Sequence, residues 1–114
     1  MMQVSTHVLD LAQGRPAQDV PVRLEQREAD TNWRLLASAR TDQNGRCAQL
    51  IPENDVLTSG IYRLVFDTES YFGSRKVETL YPSVEITFYV REGEQHFHLP
   101  LLLSPHGYST YRGS

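Results

Sequence analysis

The sequence predicts an all-β fold, an antiparallel sandwich or barrel, and three observations carry that expectation. Turn signals recur along the whole chain: Gly14-Arg15-Pro16, Ala29-Asp30-Thr31-Asn32, Asp42-Gln43-Asn44-Gly45, Thr58-Ser59-Gly60, Arg91-Glu92-Gly93-Glu94 and Ser104-Pro105-His106-Gly107. The segments between them alternate with a period of two, which sends one row of side chains inward and the next outward. A single stretch, after residue 66, departs from that period. Short strands between such turns, with one local exception, favour a sandwich.

Each element has its own signal. Ser5-Thr6-His7-Val8-Leu9-Asp10 reads as the first strand. Val20, Val22 and Leu24 alternate with Pro21, Arg23 and Glu25, and Arg46 opens a strand after a tight turn. Tyr62, Leu64 and Phe66 alternate with Ile61, Arg63 and Val65. Asp67 and Thr68 are good N-cap residues, acids follow, and Arg75-Lys76 sit where the helix dipole prefers cations. A two-turn helix is expected near residues 68–75. Val84, Ile86, Phe88 and Val90 form another inward row. Phe97, Leu99, Leu101 and Leu103 form the next, leaving His96, His98, Pro100 and Leu102 outward. Tyr108-Ser109-Thr110-Tyr111 reads as a last strand, with a frayed tail as the alternative.

Length and composition close off several classes. A chain of 114 residues fits one domain, residues 1–114, able to bury roughly 65% of its unfolded surface. No apolar run approaches the length of a membrane span, so no membrane partner is expected. The N-terminal Met1-Met2-Gln3-Val4-Ser5-Thr6-His7 lacks a leader's basic start and apolar stretch, and the chain does not finish with a Ser-Lys-Leu address. A cytoplasmic location is expected. Eleven basic and fourteen acidic residues leave a net charge of −3. Ten of the basic residues are Arg, scattered among acids, so no nucleic-acid partner is expected. One cysteine, Cys47, permits neither an intrachain disulfide nor a cysteine-based zinc site. Alternation turns it away from Arg46, as a small buried hydrophobe.

No nucleophile elbow, phosphate loop or dinucleotide fingerprint is present. What remains is His and Arg on strands. His96 and His98 share one strand face. His-x-His occurs as a metal pair, but two solvated side chains are the plainer reading without further ligands. His7 lies among β-formers, and its face is left open. Such a set suits a planar, polar small molecule, neutral or anionic. Arg would grip its oxygens by bidentate hydrogen bonds, and neutral His would take a proton from water.

Three stretches together resemble one family. Ser5-Thr6-His7-Val8-Leu9-Asp10 with Gly14-Arg15-Pro16-Ala17, Thr41-Asp42-Gln43-Asn44-Gly45-Arg46-Cys47, and the segment from His96-Phe97-His98-Leu99-Pro100 to Tyr108-Ser109-Thr110-Tyr111-Arg112-Gly113-Ser114 look like signatures of 5-hydroxyisourate hydrolases, the transthyretin-like enzymes of purine breakdown. The likeness covers essentially the whole chain. It implies a transthyretin-like sandwich of two four-stranded sheets and a homotetramer, a dimer of dimers, with sites at the dimer–dimer interface. It implies catalytic roles for His7, Arg46, His98 and Ser114, and substrate binding by Tyr111, Arg112 and Gly113. His96 is left as a flanking residue.

The implied reaction is hydrolysis of the N1–C6 amide of 5-hydroxyisourate, in urate degradation. The product is 2-oxo-4-hydroxy-4-carboxy-5-ureidoimidazoline, and no cofactor or metal is called for. His7 and His98 would activate water and move the proton, in an order the resemblance leaves open. Arg46 and Arg112 would hold the substrate's oxygens and the developing charge. The Ser114 carboxylate and the Tyr111 hydroxyl would orient the reactants. A non-catalytic small-molecule carrier is the competing reading, and the Tyr-Arg-Gly-Ser ending argues against it. A structural sandwich that only assembles and a metal hydrolase using His96 and His98 stand behind it.

Overall fold

A computed structural model describes residues 3–52 and 57–114. Met1 and Met2, part of the N-terminal segment read above, lie outside them. The chain forms two β-sheets that pack face to face, with one short helix, as the alternation predicts.

One sheet is a four-stranded antiparallel array. Its members are β3 (Pro21–Arg27), β4 (Trp33–Arg40), β6 (Gly60–Phe66) and β7 (Val84–Val90), in the order β4-β3-β6-β7. The inward rows are those the sequence assigned: Val22 and Leu24, Tyr62, Leu64 and Phe66, and Val84 and Val90 are all buried. The strand β4 is not legible as an alternating segment, and a bulge explains why. Leu24 faces Ala37 while Glu25 faces Leu35, so Leu36 has no opposite number. Leu36 and Ala37 then both reach the core, and the period of two is lost. Val65, assigned to the outer row, is nonetheless buried.

The second sheet centres on β1 (Gln3–Asp10). On one side β8 (His96–His98) and β9 (Leu101–Ser104) run parallel to it in one continuous register, interrupted at Leu99-Pro100. On the other side lie two-residue strands, β5 (Arg46–Cys47) and β2 (Arg15–Pro16). Arg15 and Pro16, read as part of a turn, are therefore a short strand paired with Leu9 and Asp10. The strand β10 (Gly107–Thr110) completes the sheet beside β9 and ends one residue before Tyr111. The sheet is thus four strand positions wide, built from six short pieces.

Val4, Val8, Phe97, Leu99, Leu101, Leu103 and Cys47 face the second layer and are buried. Burying each large side chain contributes about 1.5–3 kcal/mol. The helix α1 (Thr68–Ser74) is capped by Asp67, whose side chain accepts from the Ser70 N–H. Its Tyr71 and Phe72 close one end of the core. The Tyr71 hydroxyl donates to buried Asp10 at 2.7 Å, which ties the helix to the centre of the other sheet.

Candidate functional site

The outward face of β1 carries the site. Val4, Thr6 and Val8 point inward, so Ser5 and His7 point out. Two neighbours bring the remaining groups to this face. In the antiparallel pairing of β1 with β5, His7 stands opposite Arg46 and Thr6 opposite Cys47. In the parallel pairing with β8, Ser5 stands beside His98. Three residues far apart in sequence thus meet on one sheet surface.

The turn before β5 fixes Arg46. The Asp42 carboxylate accepts from the backbone N–H of Asn44 and of Arg46, both at 2.9 Å. Gly45 adopts φ +76, and its carbonyl accepts from the Val8 N–H at 2.7 Å. A Cβ at Gly45 would collide with the Val8 carbonyl oxygen, so only glycine lets the turn lie flat on β1. The hydrogen bond from the Arg46 N–H, with others from the surroundings, holds the Asp42 carboxyl below its usual range. Behind Arg46, burial raises the Cys47 thiol to about 11, which leaves it protonated and inert.

His98 is gripped on three sides. Its Nδ1 lies 2.8 Å from Ser5 Oγ. Its carbonyl accepts from the Gly113 N–H at 2.7 Å. The next residue, Leu99, is held to β1 twice, by its own N–H to the Ser5 carbonyl and by the Thr6 hydroxyl to its carbonyl. Burial, and then the positive potential of His7, His96 and Arg46, lower the His98 pKa below its ordinary 6.5. The ring is therefore neutral near pH 7.

The terminal segment divides. Gly113 pairs with His98 across an antiparallel bridge and lies against its ring. Arg112 turns the other way. Its guanidinium stacks 4.6 Å over the Phe97 ring and donates to Glu94 at 2.6 Å and to the His96 carbonyl at 2.9 Å. Tyr111 is exposed, and so is Ser114. Of the two arginines assigned to substrate, Arg46 is the one that stands opposite His7 and acts on His98 within one chain.

The sequence reading missed Ser5, Asp42 and Glu94 as partners of these residues. Ser5 was reachable, since it sits two positions before His7 on the same strand face. Among the described residues, no group of three or more His, Cys, Asp or Glu side chains is placed to hold a metal ion. No described helix is long and apolar enough to cross a membrane.

The chain as a whole has counterparts among known proteins. Residues 4–113 match the HIUase/Transthyretin family. The chain belongs to that family. A relative from Mus musculus, 5-hydroxyisourate hydrolase, is 46% identical over 112 residues, spanning 97% of this chain and 94% of its own. The solved 5-hydroxyisourate hydrolase of Klebsiella pneumoniae matches with a TM-score of 0.86 and 38% identity, covering the whole of both chains. Sea bream transthyretin in complex with thyroxine matches with a TM-score of 0.90 and 33% identity, covering 97% of this chain and 94% of that one. The family fold therefore holds proteins named 5-hydroxyisourate hydrolase and a transthyretin solved with thyroxine alike, and the site residues must separate them.

Proposed function

We propose that this chain is a cyclic amide hydrolase that opens 5-hydroxyisourate at its N1–C6 bond, giving 2-oxo-4-hydroxy-4-carboxy-5-ureidoimidazoline. One observation carries the reading: His7, Arg46 and His98 converge on a single outward sheet face. An apolar ligand tunnel does not call for two imidazoles and a guanidinium. A planar, oxygen-rich heterocycle undergoing attack by water does. Relatives named 5-hydroxyisourate hydrolase, similar over nearly the full chain, support the same reading over the carrier.

The chemistry follows from the groups. Water attacks C6, a tetrahedral oxyanion forms, and the C6–N1 bond breaks as N1 gains a proton. His7 and His98 manage the water and the proton. Arg46 holds the oxyanion, because a cation already beside the reacting carbonyl stabilises the charge that develops there. Tyr111, Arg112, Gly113 and Ser114 bind and orient the substrate at the rim. No step requires a cofactor or a metal.

The site is open in a single chain, with Arg46, Tyr111 and Arg112 exposed. A facing copy would close it. The family likeness implies a homotetramer, a dimer of dimers, in which the outward β1 faces of two chains would form a shared channel and present each group twice. The working unit is one domain, residues 1–114, acting in the cytoplasm. Adding purified protein to freshly made 5-hydroxyisourate should speed the loss of its ultraviolet absorbance. A rate equal to that in buffer alone would refute the hydrolase and leave the carrier.

A further inference from the structure

We propose that Ser5 sets the tautomer of His98. Its hydroxyl donates to Nδ1, so Nε2–H faces outward as a neutral hydrogen-bond donor to the substrate's C6 oxygen, and His7 alone shuttles the proton. This rests on the hydrolase reading above and divides the labour between the two histidines.

The direction of the Ser5 hydrogen bond follows from its surroundings. Ser5 is 8% exposed, and its Oγ has one hydrogen-bond partner among the described residues, the His98 Nδ1 at 2.8 Å. A hydroxyl rotates freely to aim its single proton. If Nδ1–H were the donor, that proton would be left in a buried site without a protein acceptor, which is unfavourable. If Ser5 donates, the proton is satisfied and only a lone pair is left over. Nδ1 is then an acceptor, and the neutral ring carries its proton on Nε2.

Neutrality is independently supported. Burial comes first, and the charged or titratable groups acting on the ring, His7 on β1, His96 on β8 and Arg46 on β5, add to it in the same direction. The ring is also fixed in place. Ser5 holds one edge, and Gly113 lies against the Cδ2 atom bonded to Nε2. A neutral imidazole of this form cannot take a proton at Nε2, and losing one would leave an unstable imidazolate. It can polarise a carbonyl, which a neutral ring does well when it is preorganised.

The steps then balance. His7 takes a proton from water as the O–C6 bond forms. The oxyanion is held by His98 Nε2–H and Arg46. The C6–N1 bond breaks as the proton passes from His7 to N1, which returns both histidines to their starting state.

Nitrogen-15 NMR of the full chain, with His98 assigned by its loss in His98→Asn, tests the tautomer without substrate. The wild type should show an unprotonated Nδ1 and a protonated Nε2, and Ser5→Ala should show a mixture of tautomers. A protonated Nδ1 in the wild type would overturn the proposal. In kinetics, Ser5→Ala should lower kcat about tenfold, or about 1.4 kcal/mol of transition-state stabilisation, with KM little changed. Ser5→Thr, which keeps the hydroxyl, should recover most of it. Full kcat in Ser5→Ala would overturn the positioning role. Inactivity of the wild type toward 5-hydroxyisourate would instead remove the hydrolase reading, with the tautomer still decided by the spectrum.

Discussion

Gly113 lies so close to His98 that a Cβ at residue 113 would come within 2.6 Å of the imidazole Cδ2. The same residue donates its N–H to the His98 carbonyl at 2.7 Å. Gly113 has an ordinary φ, so what demands a glycine there is the ring beside it.

Gly113→Ala should therefore act on the ring more than on the fold. The methyl group would push the imidazole off Ser5 and out of line with His7 and Arg46. We expect kcat to fall about tenfold or more, while stability changes by about 1 kcal/mol at most, because the residue is near the chain end and the ring can yield. Parallel measurement of kcat and of the urea midpoint checks this. A large loss of stability at full specific activity would contradict it.

Gly45→Ala should do the reverse. Here φ is +76 and the obstacle is the backbone oxygen of Val8, which cannot move without opening β1. Strain and collision together should destabilise the chain by about 3 kcal/mol. Because Arg46 is placed by this turn, activity should fall as well. Equilibrium denaturation gives the stability, and a wild-type midpoint would rule the account out.

Tyr71 should give the protein an alkaline limb. Burial and then the hydrogen bond to Asp10 raise the phenol to about 12, against about 10 in an unfolded chain. The folded state thus keeps the proton more tightly. That stability is fully present below about pH 10 and is lost as pH climbs through about 12. Tyr71→Phe should flatten this limb. At neutral pH it should cost about 1–3 kcal/mol, since Asp10, only 2% exposed, loses its hydroxyl partner. Thermal melts from pH 7 upward measure both effects.

Removing residues 111–114 should abolish activity and keep the fold. The β10–β9 pairing ends at Thr110 and survives. What goes is the Gly113 hydrogen bond, the Arg112–Glu94 ion pair, whose side chains are 51% and 30% exposed, and Arg112's contacts with the His96 carbonyl and the Phe97 ring. Exposed pairs stabilise little, so the loss should be about 1–2 kcal/mol. Circular dichroism should be unchanged while turnover drops to background. Turnover at the wild-type rate would remove the terminal residues from the site.

The fold was legible wherever burial is one-sided. Phe97, Leu99, Leu101 and Leu103 spell their strand because only one row meets the core. Asp67 and the charges after it spell the helix start through local capping. The strand β4 was hidden because the bulge at Leu36 sends two neighbours inward. Arg15-Pro16 was read as a turn because its strand is two residues long and exists only by pairing with β1.

The candidate site divides along the same line. The sequence by itself determined which chemistry is available: two histidines and two arginines of interest, no disulfide, no long apolar span, and outward positions for His96 and His98. It also carried the family likeness through Ser5 to Asp10, Thr41 to Cys47 and the terminal segment. Only the tertiary structure decided which of these groups meet. Pairing across β1 sets Arg46 opposite His7 and Ser5 beside His98, and register is a property of two strands, not of either one. It likewise turned Arg112 toward Glu94 and Phe97 and set Gly113 against His98, because the last residues take their direction from the edge strand they bridge.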